Sequence, residues 1–105
     1  MAQFANPLVG MTPDRKMTTE ELIRALRMDL AAEEEAVFLY EAHAGATDNP
    51  LAKKVLHSIA NEEIVHAGEF KHLIEILSPP ERELLRQGRE EVEKLARELA
   101  GIMEA

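Results

Sequence analysis

The sequence predicts an all-α fold: an antiparallel two-helix hairpin followed by a third, C-terminal helix. Three observations carry that prediction. Apolar residues recur at steps of three and four over three long segments, no stretch alternates with a period of two, and capping residues, Gly and Pro stand where helices begin and end.

Residues 1–17 show no sustained period and hold two of the five prolines, so they are read as a flexible N-terminal arm. Phe4, Leu8 and Val9 are available there to dock on a neighbour. The helical domain is placed at 18–105. Thr18 with Glu21 three residues later is a capping box, and Met17 and Leu22 stand where a hydrophobic staple would. The first helix is expected over about 19–45, stopped by Gly45. In the turn GATDNP, Asn49 caps and Pro50 opens the second helix, about 50–77. Ser78 and Pro79 do the same for the third, about 80–103. The inward line of that helix is Leu85, Val92, Leu95, Leu99 and Ile102, with Gly88 in series. Its wet side offers Glu90–Lys94 and Glu93–Arg97 pairs.

The 105 residues carry 20 acidic and 12 basic side chains, a net charge of −8, and no cysteine. No basic stripe suits a nucleic acid, and no apolar run is long enough to span a membrane. The N-terminus lacks the pattern of a secretory signal. Without cysteine there is neither a disulfide framework nor a thiolate metal site, which fits a reducing cytoplasm. A helical chain of this size has difficulty burying a large core alone, so oligomerisation is expected.

At 100° per residue the inward stripe of the first helix is Leu22, Leu26, Leu30, Glu33, Val37, Tyr40 and Ala44. Glu34 and Glu35 turn away from it. The second helix presents Ala52, Leu56, Ile59, Glu63, His66, Phe70, Leu73 and Leu77, of which only Glu63 and His66 are polar. Glu33 lies twelve residues before Gly45, and Glu63 and His66 lie thirteen and sixteen after Pro50. All three therefore sit roughly 20 Å from the turn, at one height of the hairpin. Burying unpaired carboxylates costs several kcal/mol, so something must compensate. A Glu–His ion pair or a hydrogen bond to Tyr40 would do so. Neither stripe supplies a Lys or Arg, and two carboxylates with one imidazole suit iron, manganese or zinc.

One chain supplies half a two-metal site, because carboxylate di-metal bundles use two Glu-x-x-His motifs and two further Glu from four helices. Two chains related by a two-fold axis would complete a ferritin-like four-helix bundle, with four carboxylates balancing two divalent ions. The expected assembly is thus a homodimer with two iron ions at its interface. His43, His57 and His72 are read as surface residues; Glu69, near the edge of the His66 face, could assist metal transfer but reads better as a solvated glutamate.

The segments A32-E-E-E-A-V-F-L-Y40-E41, D48-N-P-L51 and E62-E-I-V-H66-A resemble the encapsulated ferritins, ferritin-like proteins enclosed in encapsulin nanocompartments. The likeness covers roughly residues 20 to 77. It implies that Glu33, Glu63 and His66 are ferroxidase ligands, with Glu63 bridging the metals and Tyr40 beside the site. It also implies that Glu35 gathers metal on its way in. Another of the family's acidic positions is Ala32 here, and Glu34 and Glu62 stand close enough to substitute. The resemblance further implies a ring of dimers, a decamer, with the encapsulin shell protein as partner and the cytoplasmic nanocompartment as location. Family members carry a C-terminal targeting peptide or are fused to the shell, and the final RELAGIMEA resembles no such peptide.

The expected activity is oxidation of Fe(II) to Fe(III), feeding mineral storage. Two other readings compete with it. A rubrerythrin-like di-iron peroxidase would want cysteines for its electron-transfer site, and the chain has none. A non-catalytic helical interaction module would use Glu33, Glu63 and His66 as a buried polar cluster that fixes register.

Overall fold

A computed structural model describes residues 14–104. Most of the arm expected over 1–17, including Phe4, Leu8 and Val9, lies outside them. The chain forms three α-helices, α1 (Thr19–Gly45), α2 (Pro50–Leu77) and α3 (Pro79–Glu104), and no strand among the described residues. This is the expected all-α class.

Each start has its chemistry. The Glu21 N–H donates to Thr18 Oγ1 at 3.1 Å and the Thr18 N–H donates to Glu21 Oε1 at 2.9 Å, closing the capping box of α1. Arg15 grips the same carboxylate, Nη1 to Oε1 at 2.7 Å and Nη2 to Oε2 at 3.0 Å. At the start of α2 the Ala52 N–H donates to Asn49 Oδ1 at 2.9 Å. Lys53 Nζ reaches back to the Ala44 carbonyl at 2.8 Å, placing a cation on the last turn of α1. These bonds close the turn so that α1 and α2 run antiparallel in contact.

The seam between them is narrow. Its buried residues are Leu26 and Ala44 on α1 and Ala60 and Ile74 on α2, none more than 6% exposed. On α2 the line runs Ala60, Glu63, Ala67, Phe70 and Ile74, alternating steps of three and four. This corrects the expected stripe. Ile59, His66 and Leu73 lie one residue round, on the flank, and Leu73 is 40% exposed. The reason is geometric: an apolar arc about 100° wide needs more than one neighbour to cover it, and α2 has one along its length. The small side chains at Ala44 and Ala60 let the two helices approach closely.

The third helix brings a larger correction. The line expected to face inward is exposed, with Leu85 at 38%, Val92 at 66%, Leu95 at 64%, Leu99 at 59% and Ile102 at 73%. Ser78 alone joins α2 to α3, and α3 leaves the hairpin at an angle instead of folding back on it. The extents are 61 × 44 × 18 Å and the radius of gyration 18.2 Å, against about 13 Å for a compact chain of this length. One fork holds the base of α3: Arg27 Nη1 donates to Glu81 Oε2 at 2.9 Å, and Nη2 donates to Oε1. On the wet side Glu90 bonds Arg86 one turn back, not Lys94.

The Arg15 hydrogen bond, followed by the Thr18 backbone N–H, lowers the Glu21 carboxyl from its ordinary 4.5 to about 2. A depressed carboxylate contributes stability above its unfolded value and loses it as pH falls through its folded one. The first turn of α1 should therefore hold at pH 5 and weaken progressively between about 4.5 and 2. Glu21→Gln should flatten that segment of the profile, as read by amide exchange at Leu22 and Ile23.

Candidate metal centre

The narrow seam decides which side chains meet. Glu33 projects from α1 into the same level that α2 fills with Glu63 and, one turn on, His66. One ligand atom from each can be chosen so that all three lie within 4.8 Å of one another. His66 Nδ1 stands 3.6 Å from Glu33 Oε2 and 3.7 Å from Glu63 Oε2, both beyond hydrogen-bond range. The Glu33 and Glu63 side chains are 23% and 18% exposed, while His66 is 47% exposed.

Glu33 Oε2 is sealed from solvent and has no hydrogen-bond partner. Such an atom costs about 1–3 kcal/mol in a folded protein unless something unseen in the bare chain satisfies it. No Lys or Arg side chain ion-pairs with Glu33 or Glu63 among the described residues. Two donors bound to one ion at about 2.1 Å each stand at most about 4.2 Å apart. A spread of up to 4.8 Å closes on that limit with side-chain shifts of less than about 1 Å. Oxygen, oxygen and imidazole nitrogen suit a first-row transition ion. The residues fit a metal, but three ligands leave its shell unfilled.

The trio opens sideways into a depression of about 290 Å³ lined by Glu33, His66, Glu69, Phe70 and Leu73. Glu69 is the residue that the sequence reading undervalued. Its signal was present, since Glu69 stands three residues after His66 and is its neighbour on the helix surface. Tyr40 is half-buried on α1, about 10 Å along the axis from Glu33, and no hydrogen bond joins it to the trio among the described residues. Its hydroxyl therefore does not satisfy Glu33. Glu34 and Glu62 are exposed and Glu35 is half-buried. The other histidines are exposed, His57 standing 3.5 Å from Glu41 and His72 3.1 Å from Glu75.

Comparison with known proteins gives this hairpin its class. The sequence matches the Rubrerythrin family over residues 7–74 and again over 24–101, two windows that share 24–74. The solved encapsulated ferritin domain from Pyrococcus furiosus superposes with a TM-score of 0.78 at 36% identity, covering 90% of this chain and 95% of that one. The chain belongs to the rubrerythrin family of ferritin-like proteins and, within it, to the encapsulated ferritins. It is 44% identical over 89 residues to the encapsulin nanocompartment cargo protein EncC of Myxococcus xanthus. It is also 39% identical over 82 residues to a ferritin-like–encapsulin shell fusion protein of Pyrococcus furiosus. Those stretches cover 85% and 78% of this chain but 65% and 24% of the two relatives, which are longer proteins.

Replacing Glu33 by Leu removes the sealed oxygen. The metal-free protein should then be more stable by about 1 kcal/mol in urea titrations with chelator present, at the expense of metal binding. A lower midpoint would mean that His66 already satisfies Glu33 in the bare chain.

Proposed function

We propose that the protein is a ferroxidase. Two Fe(II) ions, as substrate, bind between two subunits, each of which contributes Glu33, Glu63 and His66. The observation that carries this reading is the unpartnered Glu33 oxygen inside a three-ligand cluster that one chain leaves incomplete. Exposed apolar residues on the same flank of α2, Val55 at 45% and Leu73 at 40%, offer a second hairpin something to cover. A two-fold pair would set two such hairpins face to face as a four-helix bundle.

In this reading the six ligands of the pair carry four negative charges, which offset two Fe(II) and hold Fe(III) more tightly still, since hard oxygen favours the higher charge. The pair of ions gives up two electrons. With two protons from solvent these reduce dioxygen to hydrogen peroxide, or hydrogen peroxide to two waters. Of the site, only Glu33 and Glu63 are anionic at neutral imidazole, and they bind and orient the ions. Tyr40 is proposed as the hydroxyl beside the centre once the second hairpin is in place. Glu34, Glu35 and Glu62 form the acidic approach.

Beyond the dimer, the exposed apolar line of α3 is the surface by which dimers would join into a ring, a decamer in the proposed assembly. The relatives' names speak of encapsulin cargo and of a shell fusion, and by that kinship we assign the protein to an encapsulin nanocompartment in the cytoplasm. Among the described residues no helix is long and apolar enough to cross a membrane.

Native mass measurement with and without Fe(II) tests the proposal directly. Iron should add in pairs, one ion per chain, and should shift assembly toward even numbers of subunits. Ferric absorbance should grow when oxidant is supplied. Glu33→Ala and His66→Ala should each abolish both signals with helix content kept. Iron uptake that survives both substitutions would end the ferroxidase reading, and so would uptake by isolated single chains.

A further inference from the structure

Two histidines of α2 are each followed three residues later by a glutamate, His66 by Glu69 and His72 by Glu75. At the second of them the spacing makes a bond: His72 Nδ1 lies 3.1 Å from Glu75 Oε2. A glutamate one turn on therefore reaches the imidazole before it on this helix. At His66 the ring is set differently, with Nδ1 facing Glu33 and Glu63 at 3.6 and 3.7 Å. Nδ1 and Nε2 stand on opposite edges of an imidazole, so this setting turns Nε2 away from the two carboxylates. Of the residues that line the depression with His66, Phe70 and Leu73 have no side-chain acceptor, and Glu33 lies on the Nδ1 side. Glu69 remains, exposed and with no ion-pair or hydrogen-bond partner among the described residues.

We propose that Glu69 is the positioning residue of His66: its carboxylate accepts a hydrogen bond from Nε2–H and holds the ring with Nδ1 aimed at the metal. The assignment rests on the trio being a metal centre, and says which nitrogen binds and what holds it. A neutral imidazole that gives Nδ1 to an ion carries its one proton on Nε2. Histidines on metals pass that proton to a carboxylate, a backbone carbonyl or water. The carbonyls within α2 are spent on the helix ladder. Water serves while the flank is open, and His66 is 47% exposed in the single chain. In the proposed dimer the second hairpin covers this flank and displaces the water, which leaves Nε2–H unpaired unless a side chain takes it. Helical side chains lean toward the N-terminus of their helix, so Glu69 leans back over the turn that carries His66. Its carboxylate then makes the imidazole a stronger donor to the ion without becoming a ligand itself.

The test uses the full chain and two redox-silent ions. Co(II) reports affinity by its visible absorption, and Zn(II), being diamagnetic, lets nitrogen NMR show which ring atom of His66 is bound and which is protonated. The wild type should bind Zn(II) through Nδ1 and show a slowly exchanging Nε2–H. Glu69→Ala should keep the Co(II) end point of about one ion per chain but weaken affinity about tenfold, the lower end of what outer partners of metal ligands contribute. Its Nε2–H should be lost to exchange. Glu69→Gln removes the same charge yet keeps an acceptor oxygen, and should recover most of the affinity and the slow proton. Glu93→Ala, at an exposed glutamate of α3, should match the wild type. Equal losses in Glu69→Ala and Glu69→Gln would overturn the proposal, since charge alone would then account for the effect. So would an unchanged Glu69→Ala, or Zn(II) bound through Nε2. A lower end point in Glu69→Ala would overturn it too, since Glu69 would then be a ligand. A wild type that takes up neither ion would bring down the metal centre itself, a pattern distinct from these.

Discussion

Two carboxylates on the seam of a helical hairpin, facing each other with no Lys or Arg ion-paired to them among the described residues, are the constraint from which the rest follows. A two-helix seam is too narrow to bring in long basic side chains and too dry to leave an anion to water. In the proposed centre an external cation would meet that demand, and a single histidine one turn from Glu63 would tune it toward transition metals. Everything else about the site is a matter of completing a coordination shell that one chain begins.

The same constraint accounts for the spare core. Among the described residues the buried apolar side chains are four, two of them alanine. A hairpin so thin has little hydrophobic stabilisation of its own, and much of its apolar surface is left on the flank and along α3. In the proposed dimer, metal and subunit contact would be coupled: covering the flank would bring ligands together, and binding an ion would hold the covering chain in place.

Much of this was legible in the letters. Capping residues announced the starts of α1 and α2, because Thr18 and Asn49 act on the N–H groups of their own first turns and need no tertiary context. The trio was legible because helical period and distance from a short turn together fix the height of a side chain. What the periodicity did not give was azimuth to better than one residue. Ile59, His66 and Leu73 satisfy a 3.5-residue repeat as well as Ala60, Ala67 and Ile74 do, and only the close approach permitted by alanine selects the second set. The exposure of Leu95 and Ile102 was beyond reach for another reason. An amphipathic face declares that it will be covered, not that the cover lies in the same chain. Glu69 was undervalued because its neighbours in the depression come from two helices.

The single-residue joint at Ser78 has a mechanical consequence. Its N–H closes the last turn of α2 on the Ile74 carbonyl, and its own carbonyl accepts from Glu81, so two rods meet with no slack between them. A residue spliced into such a coupling would re-aim the outgoing rod. The loop at Gly45 to Asn49 would absorb the same insertion without turning anything. The direction in which α3 leaves the hairpin is therefore set at this one residue and at the Arg27–Glu81 fork beside it.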